Sequence, residues 1–123
     1  MPAQTVAVLG ASDNPERYSH QAVLLLKEHG HRVLPIHPAL ESIAGLPVTK
    51  TLSDLPPGPV DTLTLYVGAA RLPSMAEEII RARPARVIFN PGTESPELQS
   101  ALTATGIPWQ EACTLVLLRT NQF

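Results

Sequence analysis

Residues 5–12 read Thr5-Val6-Ala7-Val8-Leu9-Gly10-Ala11-Ser12. A short run of apolar and β-branched residues, with no charge in it, stops at a glycine. Such a run suits a strand buried on both faces, the kind found in parallel sheets. Gly10 to Pro15 then forms a turn cluster. Ser19 is expected to cap a helix that runs to about His29. Ala22, Val23, Leu25, Leu26 and His29 recur there at helical spacing, and Gly30 is a natural stop.

The rest of the chain repeats this alternation. Arg32 to Ile36 is expected as the second strand, closed by His37-Pro38. Ala39 to Pro59 is irregular and holds Pro47, Pro56, Pro57 and Pro59. A short strand near Pro47–Lys50 and one helical turn near Ser53–Leu55 fit inside it. Val60 to Val67 is the third strand, ended by Gly68. Leu72 to Ala82 is the second long helix, with Pro73 near its first position, where the missing N–H costs nothing. Arg86 to Phe89 is the fourth strand. Ser95-Pro96-Glu97 supplies a cap, a first position and a favourable acid for a third helix that ends near Gly106. Ile107 to Gln110 is the fifth strand, and Thr114 to Leu118 is apolar and left unassigned. The order predicts an α/β protein: a single domain over residues 1–123, with a doubly wound, Rossmann-like five-stranded parallel sheet in three layers.

Composition narrows the function. The 123 residues are 44% hydrophobic and 16% charged, with nine Lys plus Arg against eleven Asp plus Glu. A chain this apolar is not disordered, and without a basic excess it is not expected to bind nucleic acid. The one cysteine, Cys113, excludes an intramolecular disulfide and multi-cysteine zinc patterns. It is expected to be a small buried hydrophobe rather than a nucleophile. No apolar run is long enough for a membrane span, and the first residues from Met1 lack the features of a signal peptide. The expected setting is cytoplasmic, and a homodimer is compatible with so small an apolar domain.

In a doubly wound sheet, ligands bind beyond the carboxyl ends of the strands, where the strand order reverses. Those ends carry Gly10-Ala11-Ser12 followed by Arg17-Tyr18-Ser19, then His37-Pro38, Val67-Gly68 and Asn90-Pro91-Gly92. Gly10 stands between a strand and a helix, where phosphate meets backbone N–H groups and a positive helix end. The full glycine fingerprint of dinucleotide sites is absent, since positions 12 and 15 are Ser and Pro. Arg17 offers a bidentate donor to a phosphate, and Ser12 a hydroxyl. The second strand ends on His37 rather than on the acid that holds the ribose of NAD, which favours NADP or a ribose 3′-phosphate as in coenzyme A (CoA). Arg71, at the start of the second long helix, is expected to face solvent. His20, His29, His31 and His37 form no metal-binding pair, and no catalytic motif is present, so neither a metal site nor a catalytic residue is expected.

Taken together, these motifs closely resemble the small stand-alone CoA-binding proteins, related to the N-terminal CoA-binding domain of the succinyl-CoA synthetase α subunit. The family's Gly-Ala-Ser loop, basic residue before the first helix, Pro after the second strand, Pro-Gly after the fourth and late Cys correspond here to Gly10-Ala11-Ser12, Arg17-Tyr18-Ser19, His37-Pro38, Asn90-Pro91-Gly92 and Cys113. The resemblance implies that Gly10, Ala11, Ser12 and Arg17 cradle phosphates, that His37-Pro38 borders the nucleotide, and that Val67 and Gly68 line the adenine or pantetheine path. His37 stands where the family usually has Asn, and Gly68 where it often has Pro or Arg. The synthetase's phosphohistidine lies in a different domain, so no activity carries over. The reading is a protein that binds CoA or an acyl-CoA without catalysis. An NAD(P)-binding redox protein, or an interaction protein with a vestigial nucleotide site, are the alternatives.

Overall fold

Each buried strand of the chain sends alternate residues to opposite faces, and two separate apolar cores result. The structure, a computed structural model, describes residues 2–123; the signal-peptide reading at Met1 therefore begins outside the described residues. Its elements are β1 (Thr5–Leu9), α1 (Tyr18–Glu28), β2 (Arg32–Ile36), β3 (Ser42–Ile43), β4 (Leu46–Pro47), a 3-10 turn (Leu52–Asp54) and β5 (Thr62–Leu65). A second 3-10 turn (Leu72–Met75) runs into α2 (Ala76–Ala82). Then follow β6 (Arg86–Phe89), α3 (Pro96–Ala104), β7 (Trp109–Glu111) and α4 (Thr114–Arg119). The five long strands form one parallel sheet in the order β2-β1-β5-β6-β7. The order reverses between β1 and β5, and this is the switch point of the fold.

Ala7 and Leu9 point to one face, with Leu63, Leu65, Val87 and Phe89, and meet Ile79 of α2 and Leu98 and Leu102 of α3. Val6 and Val8 point to the other, with Ile88, and meet Val23 and Leu26 of α1 and Leu118 of α4. Strand β5 reads TLTL, yet all four residues are buried. Its two threonines are tolerated because each hydroxyl is used. Thr64 Oγ1 lies 2.7 Å from Thr114 Oγ1, and Thr62 Oγ1 donates to Gln4 Oε1 at 2.6 Å.

The expected elements form, with several shifts: the strand expected over 60–67 is confined to Thr62–Leu65, and the one expected over 107–110 runs Trp109–Glu111. Helix α1 begins at Tyr18, so Ser19 is inside it and does not cap it. Arg17 is the cap residue, and no side chain caps the helix end. The shift follows from Arg17, whose extended backbone places its carbonyl to accept from His20 and Gln21 N–H. The second long helix starts as a 3-10 turn and becomes α-helical only at Ala76. The strand expected near Pro47–Lys50 is divided: Leu46–Pro47 pairs with Ser42–Ile43 in a hairpin, while Thr49 makes a parallel bridge to Ile36. The apolar Thr114–Leu118 stretch is helix α4, packed on α1. Among the described residues no helix is long and apolar enough to cross a membrane.

Candidate functional site at the carboxyl edge of the sheet

The loop leaving β1 is built around Gly10. Its φ is +86°, and a Cβ there would sit 2.7 Å from the Tyr66 carbonyl oxygen. Only glycine satisfies both constraints. The close approach lets β1 and β5 end side by side with no side chain between them. Ala11 N–H donates to the Ile36 carbonyl at 3.2 Å, which ties the loop to the end of β2 as well. Ser12 Oγ accepts from Asn14 N–H at 3.1 Å, and Asn14 Oδ1 accepts from Glu16 N–H at 3.0 Å. These side-chain turns carry the chain to Arg17. The buried His20 closes the arrangement: its Nδ1 donates to the Ser12 carbonyl at 2.8 Å.

A cleft of about 710 Å³ opens over this edge, within the range of small-molecule sites. Its floor is the strand ends: Leu9 to Ser12, Ile36 to Pro38 and Tyr66 to Gly68. One wall is the start of α1, where Arg17, Tyr18 and Ser19 line the cleft. The other wall comes from the opposite face of the sheet: Lys50, Thr51 and Leu52, with Arg71, Met75 and Glu78. The uncapped N-terminus of α1 borders this space, so backbone N–H groups and the positive end of the helix dipole are presented there.

The charges in the cleft are not those of the chain as a whole. Arg17, Lys50 and Arg71 line it against one carboxylate, Glu78, although acids outnumber Lys plus Arg eleven to nine overall. A site with three cations, a glycine turn and an open helix N-terminus is chemically suited to a ligand with several phosphates. His37 also lines the cleft, and its Nδ1 accepts from the N–H groups of Ala39 and Leu40 at 3.0 and 3.1 Å. It thus supports a turn as the carbonyl oxygen of an asparagine does, with its proton on Nε2. The Ser53 hydroxyl donates to Glu78 Oε1 at 3.0 Å and links the first 3-10 turn to α2.

Ten of the residues singled out from sequence lie together here: Gly10, Ala11, Ser12, Arg17, Tyr18, Ser19, His37, Pro38, Val67 and Gly68. Asn90, Pro91 and Gly92 are not part of the cleft lining. Asn90 turns inward instead. Its Nδ2 donates to Thr64 Oγ1 at 2.6 Å and to the Leu65 carbonyl at 2.8 Å, and its Oδ1 accepts from Thr114 N–H at 2.9 Å. A buried amide with these partners joins β5, β6 and α4. Arg71, expected in solvent, is exposed but lines the cleft as well.

Sequence reasoning missed Lys50, Thr51, Tyr66, Met75 and Glu78. The Ile36–Thr49 bridge explains the first two: it runs parallel to β2 and delivers the next residues to the carboxyl edge. Met75, which ends the second 3-10 turn, and Glu78 of α2 are three apart and share one face of the continuous helical segment, which was the available signal. Tyr66 lines the cleft while its side chain packs against the Val6–Val8 core, where its hydroxyl is buried without a hydrogen bond. Burial pushes its phenol well above the ordinary value, which the nearby Thr114 and Thr64 hydroxyls offset only in part. Cys113 is half-buried at the start of α4, outside the cleft lining. Trp109 is also remote from the cleft; it packs edge-on against Phe89 and donates to Thr103.

Comparison with known proteins agrees with this architecture. A crystal structure of an uncharacterized protein is 35% identical and superposes with a TM-score of 0.91, covering 100% of both chains. A Thermus thermophilus structure described as cell-free ID.343 is 33% identical, with a TM-score of 0.90 over 98% of this chain and 91% of that one. Among curated proteins, the uncharacterized protein YneT of Bacillus subtilis (strain 168) is 28% identical over 78 residues. That match spans 63% of this chain and 57% of YneT. The family model for the CoA binding domain matches residues 4–119, and the chain is therefore a member of the CoA binding domain family.

Proposed function

We propose that this protein binds CoA or an acyl-CoA at the carboxyl edge of its sheet and catalyses no reaction of its own. The observation that carries the reading is that Arg17, Lys50 and Arg71 line one cleft together with the Gly10 loop and the uncapped start of α1. CoA supplies a diphosphate and a ribose 3′-phosphate, the charges such a cleft would hold. Gly10, Ala11, Ser12 and Arg17, with the α1 terminus, would take the diphosphate. His37 and Pro38 would border the ribose, and Val67 and Gly68 the pantetheine path. The second strand ends without the carboxylate that an NAD ribose requires, which disfavours the dinucleotide reading.

The test is native mass spectrometry of gently purified protein, followed by thermal melts with CoA, acetyl-CoA, longer acyl-CoAs and NADPH. An adduct of CoA mass is expected, with a rise in melting temperature on adding CoA. A ligand at 100 times its Kd stabilises by about 2.7 kcal/mol. Protein that stays bare and whose melting is unmoved by millimolar CoA species would overturn the reading. A shift with NADPH alone would favour the redox alternative.

A further inference from the structure

Glu78 is the one carboxylate that lines a cleft otherwise bordered by Arg17, Lys50 and Arg71. An acid there repels an approaching phosphate, so a cleft built only for anions would be weakened by it. Its position resolves the conflict. The phosphate loop and α1 lie on one face of the sheet, while Glu78 belongs to α2 on the other, on the wall that Met75 and Leu52 share with Lys50 and Arg71. Met75 and Leu52 line the cleft on the same wall, so an apolar surface and a carboxylate acceptor are offered together, a combination suited to a flat, neutral, donor-bearing group. Ser53 donates to Oε1 and orients the carboxylate, which leaves Oε2 to accept from a ligand.

We propose that Glu78 is a specificity-determining residue that accepts a hydrogen bond from the exocyclic amine of a purine base seated against Met75 and Leu52. The proposal rests on the CoA reading and deepens it: the carboxylate would select an amino-bearing base and, by repulsion, keep the phosphates at the α1 end. Adenine carries such an amine.

The experiment compares two probes by isothermal titration: adenosine 3′,5′-bisphosphate and purine riboside 3′,5′-bisphosphate, which lacks only the amine. Wild-type protein is expected to prefer the first by about tenfold, the range of a hydrogen bond to a charged acceptor. In Glu78→Met, which keeps the chain length and removes the acceptor, the ratio should fall to about one. The general gain from losing a negative charge affects both probes equally and cancels in the ratio. Equal wild-type affinity for the two probes would overturn the proposal, as would a ratio that survives in Glu78→Met. Loss of affinity for both probes in parallel would move Glu78 to the ribose and also overturn it. The wild-type comparison stands even if the variant folds poorly. Failure of wild type to bind CoA or either probe would instead strike the CoA reading itself.

Discussion

His20 Nδ1 lies 2.8 Å from the carbonyl oxygen of Ser12, so the first turn of α1 reaches back eight residues and holds the loop that leaves β1. A carbonyl only accepts, so the proton is on Nδ1. The bond fixes the Gly10–Ser12 loop against the helix N-terminus, the two parts a phosphate would touch. His20→Leu keeps the buried volume and removes the donor. CoA affinity should fall about five- to tenfold, while stability falls by only about 1 kcal/mol. Titration calorimetry beside a urea melt checks this; unchanged affinity would reduce His20 to a packing residue.

Gly10→Ala meets two penalties together, a left-handed φ and a Cβ 2.7 Å from the Tyr66 carbonyl. A loss of at least about 2 kcal/mol is expected. Gly68 is the internal control. A Cβ there meets nothing within 4 Å, so Gly68→Ala should stay within about 0.5 kcal/mol of wild type. Denaturant midpoints of the two variants decide the matter, and equal stabilities would contradict the loop geometry.

Asn90→Ala removes three hydrogen bonds from a buried junction. Stability should drop by about 2–4 kcal/mol, with CoA affinity preserved at temperatures where the variant stays folded. Weaker binding without a stability loss would return Asn90 to the ligand.

The cationic lining predicts salt-sensitive binding. Raising ionic strength from 50 mM to 500 mM should weaken CoA binding severalfold, as screening shortens the reach of each charge. Arg17→Gln, Lys50→Gln and Arg71→Gln should each lower affinity by about three- to tenfold and flatten the salt dependence. Variants that leave both unchanged would separate these side chains from the ligand.

His31 supplies a pH dependence away from the cleft. It is buried, its Nδ1 accepts from Gln4 N–H at 3.0 Å, and its Nε2 has no partner. Burial first, and the neighbouring His29 and Arg86 charges next, lower its pKa. The unfolded imidazole takes a proton near 6.5 while the folded one resists it. The stabilisation is therefore complete above about pH 6.5 and is lost as pH falls from there towards the folded pKa. Urea midpoints measured between pH 7.5 and 5.5 should decline, and His31→Gln should decline less steeply. Parallel curves for the two proteins would exclude His31 as the source.

Much of the fold was legible because its signals are local. The run Val6–Leu9 before Gly10, the helical spacing of Val23 and Leu26, and Ser95-Pro96-Glu97 before α3 are short-range patterns. Ser95 Oγ does accept from Leu98 N–H at 3.2 Å. The shift at Ser19 has the same scale: capping was read from residue type, and the backbone of Arg17 decided otherwise. In the β5 run TLTL, alternation did not reveal burial on both faces, because it depends on partners distant in sequence, Gln4 and Thr114.

By itself the sequence determined the order of strands and helices, the turn at Gly10 and the absence of a basic excess, since periodicity, backbone freedom and net charge belong to the chain. Tertiary structure decided which side chains share the cleft. It brought Lys50 to the carboxyl edge through the Ile36–Thr49 bridge and set Glu78 across the sheet from Arg17. It also turned Asn90 inward, where buried polar groups near Thr64 and Thr114 needed a partner. The reason is physical: a site assembled from segments far apart in the chain exists only once the sheet has aligned their ends, and a buried donor left unpaired costs more than an exposed one.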